Sequence, residues 1–130
     1  MGYEVTAALQ SKILSTNNNG GNTLYDNPAP CAFCYVGGRS TVAMIPARTQ
    51  CPDGWTTEYV GYLVSQYNGG ALKDVYYRTS YICLDETPEI AAGETARNQA
   101  IIYLVQVRCG SLPCSIYPTG REVACIVCSK

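Results

Sequence analysis

Histidine is absent from the 130 residues, and phenylalanine and tryptophan occur once each. Without histidine the chain lacks the usual general base and every Ser-His-Asp or Cys-His arrangement, so an enzyme is not expected. Charged residues make up only 15% and the net charge is −1. That argues against nucleic acid, whose binders need a basic face, and against a polybasic membrane patch. No apolar run reaches the roughly 18 residues of a membrane helix, so no membrane insertion is expected. Glycine does not recur at every third position, which excludes a collagen triple helix for these residues. There is no Asn-x-Ser/Thr sequon: Asn22-Thr23-Leu24 and Asn98-Gln99-Ala100 both miss it. Met1-Gly2-Tyr3-Glu4 has neither the basic start nor the apolar core of a secretory leader. A secreted chain is therefore expected to be in its mature form.

What the chain has is cysteine: Cys31, Cys34, Cys51, Cys83, Cys109, Cys114, Cys125 and Cys128. Such a set implies an oxidising compartment with disulfides, or a metal. Cys31-x-x-Cys34 and Cys125-x-x-Cys128 have zinc-ligand spacing within each pair. The pairs lie roughly 90 residues apart, whereas zinc modules keep them within roughly 15–20. The other four cysteines would be left unexplained, and Cys125 and Cys128 sit in the apolar run VACIVC, which reads as a buried strand. Disulfides are expected, with no metal. Eight cysteines allow about a hundred pairings. The expected set is Cys51–Cys83, a local Cys109–Cys114, and Cys31 and Cys34 joined to Cys125 and Cys128.

The length suits one domain, residues 1–130, with residues 30–130 as a Cys-rich core and residues 1–29 as a strand and loop of uncertain membership. Eleven tyrosines favour strands and offer half-polar aromatic faces. Residues 3–14 alternate loosely as a first strand. Phe33–Val36, Thr41–Ile45, Trp55–Ser65 and Val75–Leu84 read as strands, separated by Gly37-Gly38, Pro52-Asp53-Gly54 and Asn68-Gly69-Gly70. Ala100–Cys109 is the clearest buried strand, and Arg121–Cys128 is the last. Residues 85–99 form a polar surface loop. Short strands at this spacing predict an all-β fold, a compact antiparallel sandwich or barrel stapled by disulfides.

Several stretches also resemble a known family. They are PCAFCYVGGRSTVAMIPAR (Pro30–Arg48), CPDGWTTEYVGYLV (Cys51–Val64), YICLD (Tyr81–Asp85), AIIYLVQVRCGSLPC (Ala100–Cys114) and GREVACIVCSK (Gly120–Lys130). Together they resemble the Cys-rich globular domain of the short-chain collagen C4-like proteins of sponges, corals and molluscs, over about residues 30–130. Members can carry Gly-X-Y repeats before this domain, and this chain has none. The resemblance implies a secreted, free-standing module similar to the galactose-binding lectins of sponges. Its partners would be glycans bearing terminal galactose or GalNAc, bound without calcium or any other cofactor. It would act as a homo-oligomer. The alternative is a non-catalytic matrix or adhesion module that self-associates without sugar.

A neutral-sugar site needs a few fixed polar groups and an aromatic face, usually on loops between strands. The polar candidates are Asp85, Glu86, Arg97 and Asn98; the aromatic ones are Trp55, Tyr67, Tyr76, Tyr77 and Tyr81. Loop 65–80 mixes Tyr with Asn, Asp, Arg and Gly, as binding loops do. Each candidate also has a plain structural role: Trp55 as a core anchor, Asn98 as a turn residue, Asp85, Glu86 and Glu89 as solvated surface. The acidic group lacks the alternating ligands of a calcium loop. Arg39 and Arg48 read as ion-pair partners for acids, and Arg121-Glu122 as a surface pair.

Overall fold

The computed structural model describes residues 30–66, 80–89 and 102–130. The expected strand at 3–14, and the question of whether residues 1–29 belong to the domain, lie outside the described residues. Five strands form: β1 (Val42–Pro46), β2 (Thr56–Gln66), β3 (Tyr81–Asp85), β4 (Ile102–Leu104) and β5 (Ala124–Ser129). They make one antiparallel sheet in the order β1-β5-β2-β3, with β4 also paired to β2. The fold is all-β and disulfide-stapled, and the described residues contain no helix. Their strands belong to a single sheet rather than to the two layers of a sandwich.

The interior strand β5 is buried on both faces, which explains why its sequence, ACIVCS, carries apolar residues at successive positions. On one face Cys125 and Val127 join Met44, Tyr59, Leu63 and Cys83, with Val105 and Val123 packed against them. On the other, Ile126 stands opposite both Ile45 and Val60. The register of β2 on β5 slips between Thr57 and Tyr59, a bulge that leaves Glu58 outside the ladder. A bulge re-aims its side chain. Glu58 Oε1 lies 3.2 Å from Arg39 Nη2 and accepts a hydrogen bond from Ser129 Oγ. Arg39 thus takes the ion-pair role expected of it.

Cys125 and Cys128 are three residues apart on one strand, so the period of two sends them to opposite faces. Cys128 bridges Cys51, Cα–Cα 5.9 Å, and Cys125 bridges Cys83, 5.7 Å. These pairings overturn the expected Cys51–Cys83 bridge. They also overturn the expected bridges from Cys31 and Cys34 to Cys125 and Cys128, because strand pairing puts closer partners beside both C-terminal cysteines. Cys31 and Cys34 are exposed and stand outside the three bridges. Cys109–Cys114 forms as expected, at 4.8 Å. The two long loops span 77 and 42 residues, and closing each is worth about 4 kcal/mol in the chain-entropy model. With Cys125 and Cys128 consumed, the zinc reading of the paired CxxC motifs is also removed.

The Cys83–Cys125 bridge demands an unusual sheet. β3 and β5 lie on opposite sides of β2, and strands two apart in a flat sheet are roughly 9–10 Å from each other. Here their cysteine Cα atoms are 5.7 Å apart, so the sheet is creased along β2. Gly61 sits at the crease, opposite both Cys125 and Asp85. A Cβ at Gly61 would fall 1.8 Å from the Leu84 carbonyl oxygen. Only glycine allows that approach.

Two readings of the strands change. Ala100–Cys109 is not one buried strand: Ile102 and Tyr103 are exposed, and only Ile102–Leu104 lies on β2. Val105 still donates its amide to the Leu63 carbonyl of β2 at 2.9 Å while accepting from Val123 N at 3.0 Å, and beyond it the chain pairs with residues 121–123, through Val107 N to Arg121 O at 2.7 Å. Phe33–Val36 forms no strand. Glu122 is also not the surface acid expected. It lies opposite Gln106 in that short pairing, is fully buried, and has no hydrogen-bond partner on either carboxylate oxygen.

Two substitutions test this account. Gly61→Ala forces a Cβ into backbone that the disulfide holds, and is expected to destabilise by on the order of 3 kcal/mol or more in urea unfolding. Glu122→Gln replaces a buried, unpaired carboxylate with a neutral isostere. It is expected to stabilise by about 1 kcal/mol or more, read as a higher urea midpoint.

Candidate functional site

The end of the sheet where β2 meets both β3 and β4 carries two partly exposed tyrosines. Ser65 of β2 stands directly opposite Tyr81 of β3 and also opposite Tyr103 of β4. Directly paired residues project from the same face. The two tyrosines therefore flank Ser65 on the face that also carries Leu63 and Cys83. Ser65 is buried, whereas Tyr81 is 49% and Tyr103 44% exposed. The Ser65 hydroxyl is held in place, donating to the Ser80 carbonyl oxygen at 2.8 Å. Exposed Ile82 and Ile102 lie one position away on the neighbouring rows. The result is a rigid strand platform with two half-exposed phenol rings, suited to the apolar face of a ring-shaped neutral ligand.

The residues singled out in sequence do not form one cluster. Tyr81 belongs to the platform. Trp55 is half-buried just before β2 begins, ten residues from Ser65 along an extended strand. That separation is roughly 30 Å, so Trp55 and Tyr81 cannot share one monosaccharide. Asp85 and Glu86 are exposed at the far end of β3 from Tyr81. Asp85 Oδ1 accepts from the Thr87 amide at 2.8 Å and from its hydroxyl at 3.0 Å, which commits it to the turn that ends β3. Glu86 is tied through its amide to the Val60 carbonyl at 3.2 Å. Tyr67, Tyr76, Tyr77, Arg97 and Asn98 lie outside the described residues. Tyr103 and Ser65 escaped sequence reasoning because their partnership is a register across three strands. The one available signal was the alternation of Trp55–Ser65, which puts Ser65 on a definite face.

Beneath this surface Tyr59 links β2 to β3: its hydroxyl donates to the Cys83 carbonyl at 2.9 Å. Burial raises its pKa above the ordinary 10.0, and the negative charge of Asp85 raises it further. Among the described residues no group of three or more Cys, Asp or Glu side chains is placed to hold a metal ion. No helix among them is long and apolar enough to cross a membrane. Three disulfides indicate an oxidising environment. No protein-family model matches the chain, and no solved structure matches it.

The raised pKa of Tyr59 has a signed consequence. The folded state holds the phenol proton more tightly than the unfolded chain does. This contribution is fully present below pH 10.0 and is lost as pH rises from there through the folded pKa. Urea midpoints measured from about pH 9 to 11 should fall in the wild type. Tyr59→Phe should be less stable at about pH 9, for want of the bond to Cys83, but decline less steeply.

Proposed function

We propose that this protein is a secreted, calcium-independent lectin for glycans bearing terminal galactose or GalNAc, acting without catalysis and multivalent through self-association. The observation that carries the reading is the Tyr81–Ser65–Tyr103 row: two half-exposed aromatic rings fixed on paired strands around a buried hydroxyl. Sugar rings present a C–H face that packs on such rings, while specificity comes from a few polar groups nearby. The near-neutral charge suits an uncharged ligand. The likeness of residues 30–130 to the globular domain of short-chain collagen C4-like proteins points to galactose-type sugars, and the bridged cysteines fit a secreted chain. One stacking surface competing with water supports only weak binding per site, roughly 10⁻⁴–10⁻³ M. Function then depends on several sites per particle, which multiply avidity by about 10²–10⁴.

A second reading, a matrix or adhesion module that self-associates without sugar, is favoured by Phe33 and Tyr35, large aromatic residues left fully exposed.

A glycan array probed with non-reduced protein separates the two. The lectin reading expects signal confined to terminal galactose or GalNAc, unchanged by EDTA, and lowered about tenfold or more by Tyr81→Ala and by Tyr103→Ala in correctly folded variants. A blank array from folded protein would remove it and leave the matrix module.

A further inference from the structure

The three bridges differ in what they close and in what can reach them. Cys51–Cys128 and Cys83–Cys125 join residues 77 and 42 apart in sequence, whereas Cys109–Cys114 joins residues 5 apart. The short loop constrains the unfolded chain least, so this bridge adds least to stability. Exposure follows the same order. Each long bridge contains a fully buried cysteine of β5, Cys128 or Cys125. Opening either one requires attack inside the sheet or leaves a thiolate there, where a charge loses its water. Cys114 is exposed and Cys109 half-buried. Exposed bridges are the labile ones.

The two sulfurs of the short bridge are not equivalent. The Thr119 hydroxyl accepts from the Cys109 amide at 3.2 Å and donates to the Cys109 sulfur at 3.4 Å. The next residue, Gly120, pins this turn by donating its amide to the Val107 carbonyl at 2.9 Å. A donor already aimed at Cys109 Sγ stabilises a thiolate formed there, and the better-stabilised thiolate is the better leaving group. Exposure makes Cys114 the sulfur open to attack. Residues 107–120 include Arg108 and no acidic residue, so no charge within this stretch repels an anionic thiol. We propose that Cys109–Cys114 is a thiol-exchange site, at which a small anionic thiol of the glutathione class is attached to Cys114 and Cys109 is the leaving group.

The glutathione thiolate attacks Cys114 Sγ. A sulfur–sulfur bond to Cys114 forms as the Cys109–Cys114 bond breaks, and Cys109 leaves as a thiolate that takes up the proton the attacking thiol gave up. A second glutathione thiolate then attacks the glutathione sulfur of the mixed disulfide and expels Cys114. Two glutathione thiols are thereby oxidised to one disulfide, and one protein disulfide is reduced to two thiols. The loop from Cys109 to Cys114 is released while both long staples stay closed. The proposal does not rest on sugar recognition.

The test is timed exchange on the full chain. Any thiol the folded protein already carries is first blocked with iodoacetamide. Excess reduced glutathione is then added, samples are quenched with N-ethylmaleimide, and peptides are mapped by mass. Cys109–Cys114 is expected to open at least about tenfold faster than either long bridge. The first adduct should carry glutathione on Cys114 and maleimide on Cys109. Thr119→Val is expected to slow opening about threefold or more and to shift glutathione toward Cys109. Thr119→Ser keeps the hydroxyl and should restore both rate and position. A merely structural role for Thr119 would not move the adduct between the two sulfurs. Urea midpoints before reduction check that the variants fold; if Thr119→Val does not, the position of the wild-type adduct decides. A long bridge opening first, glutathione mainly on Cys109 in the wild type, or a folded Thr119→Val that exchanges as the wild type does would each overturn the proposal. A blank glycan array would sink the lectin reading alone.

Discussion

The Cys83–Cys125 bridge is the constraint on which the described structure depends. It joins strands that flank β2 rather than neighbours, and holds their Cα atoms 5.7 Å apart. A flat sheet cannot meet that distance. The crease along β2, the glycine at its bend, and the close approach of the Leu84 carbonyl to Gly61 are consequences of one another. The same crease brings Tyr59 under Cys83, where burial holds its phenol neutral. Without the bridge, the short strand β3 would keep only its edge pairing to β2 and a small share of the core.

The second long bridge acts on the opposite face. Cys128 reaches back to Cys51, ahead of β2, where the Thr57 hydroxyl donates to the Cys51 sulfur at 3.4 Å. One strand, β5, therefore anchors both faces of the sheet, and its two cysteines need a spacing of three to do so. Among the described residues the fully buried side chains of any size are chiefly Ile126, Glu122, Cys125 and Cys128, and cross-links carry part of the stability. Glu122 is the discordant member, a carboxylate in a place where a neutral side chain would cost less.

The row proposed to bind sugar lies away from the Cys51–Cys128 staple. The Tyr81–Ser65–Tyr103 row lies at the end of β2, beyond the crease, where β3 and β4 both reach the same residue. Strand pairing fixes the rings, and partial exposure leaves them available. Cys31 and Cys34, in the segment before β1, lie outside the three staples.

Much was legible in residues read in order. The spacing of turn residues marked β1 and β2 to within a residue or so, the apolar run VACIVC marked β5 as buried, and Cys109–Cys114 followed from closeness in sequence. These are local properties: side-chain period, turn chemistry and short loops determine them. What the tertiary structure alone decided was every choice among distant partners. It selected Cys51–Cys128 over Cys51–Cys83, divided residues 102–107 between β2 and residues 121–123, buried Glu122, and set Tyr103 and Tyr81 on either side of Ser65 while leaving Trp55 at the other end of β2. Each follows from strand order and register. Those depend on which distant segments meet, and no window along the chain contains both halves of such a pair.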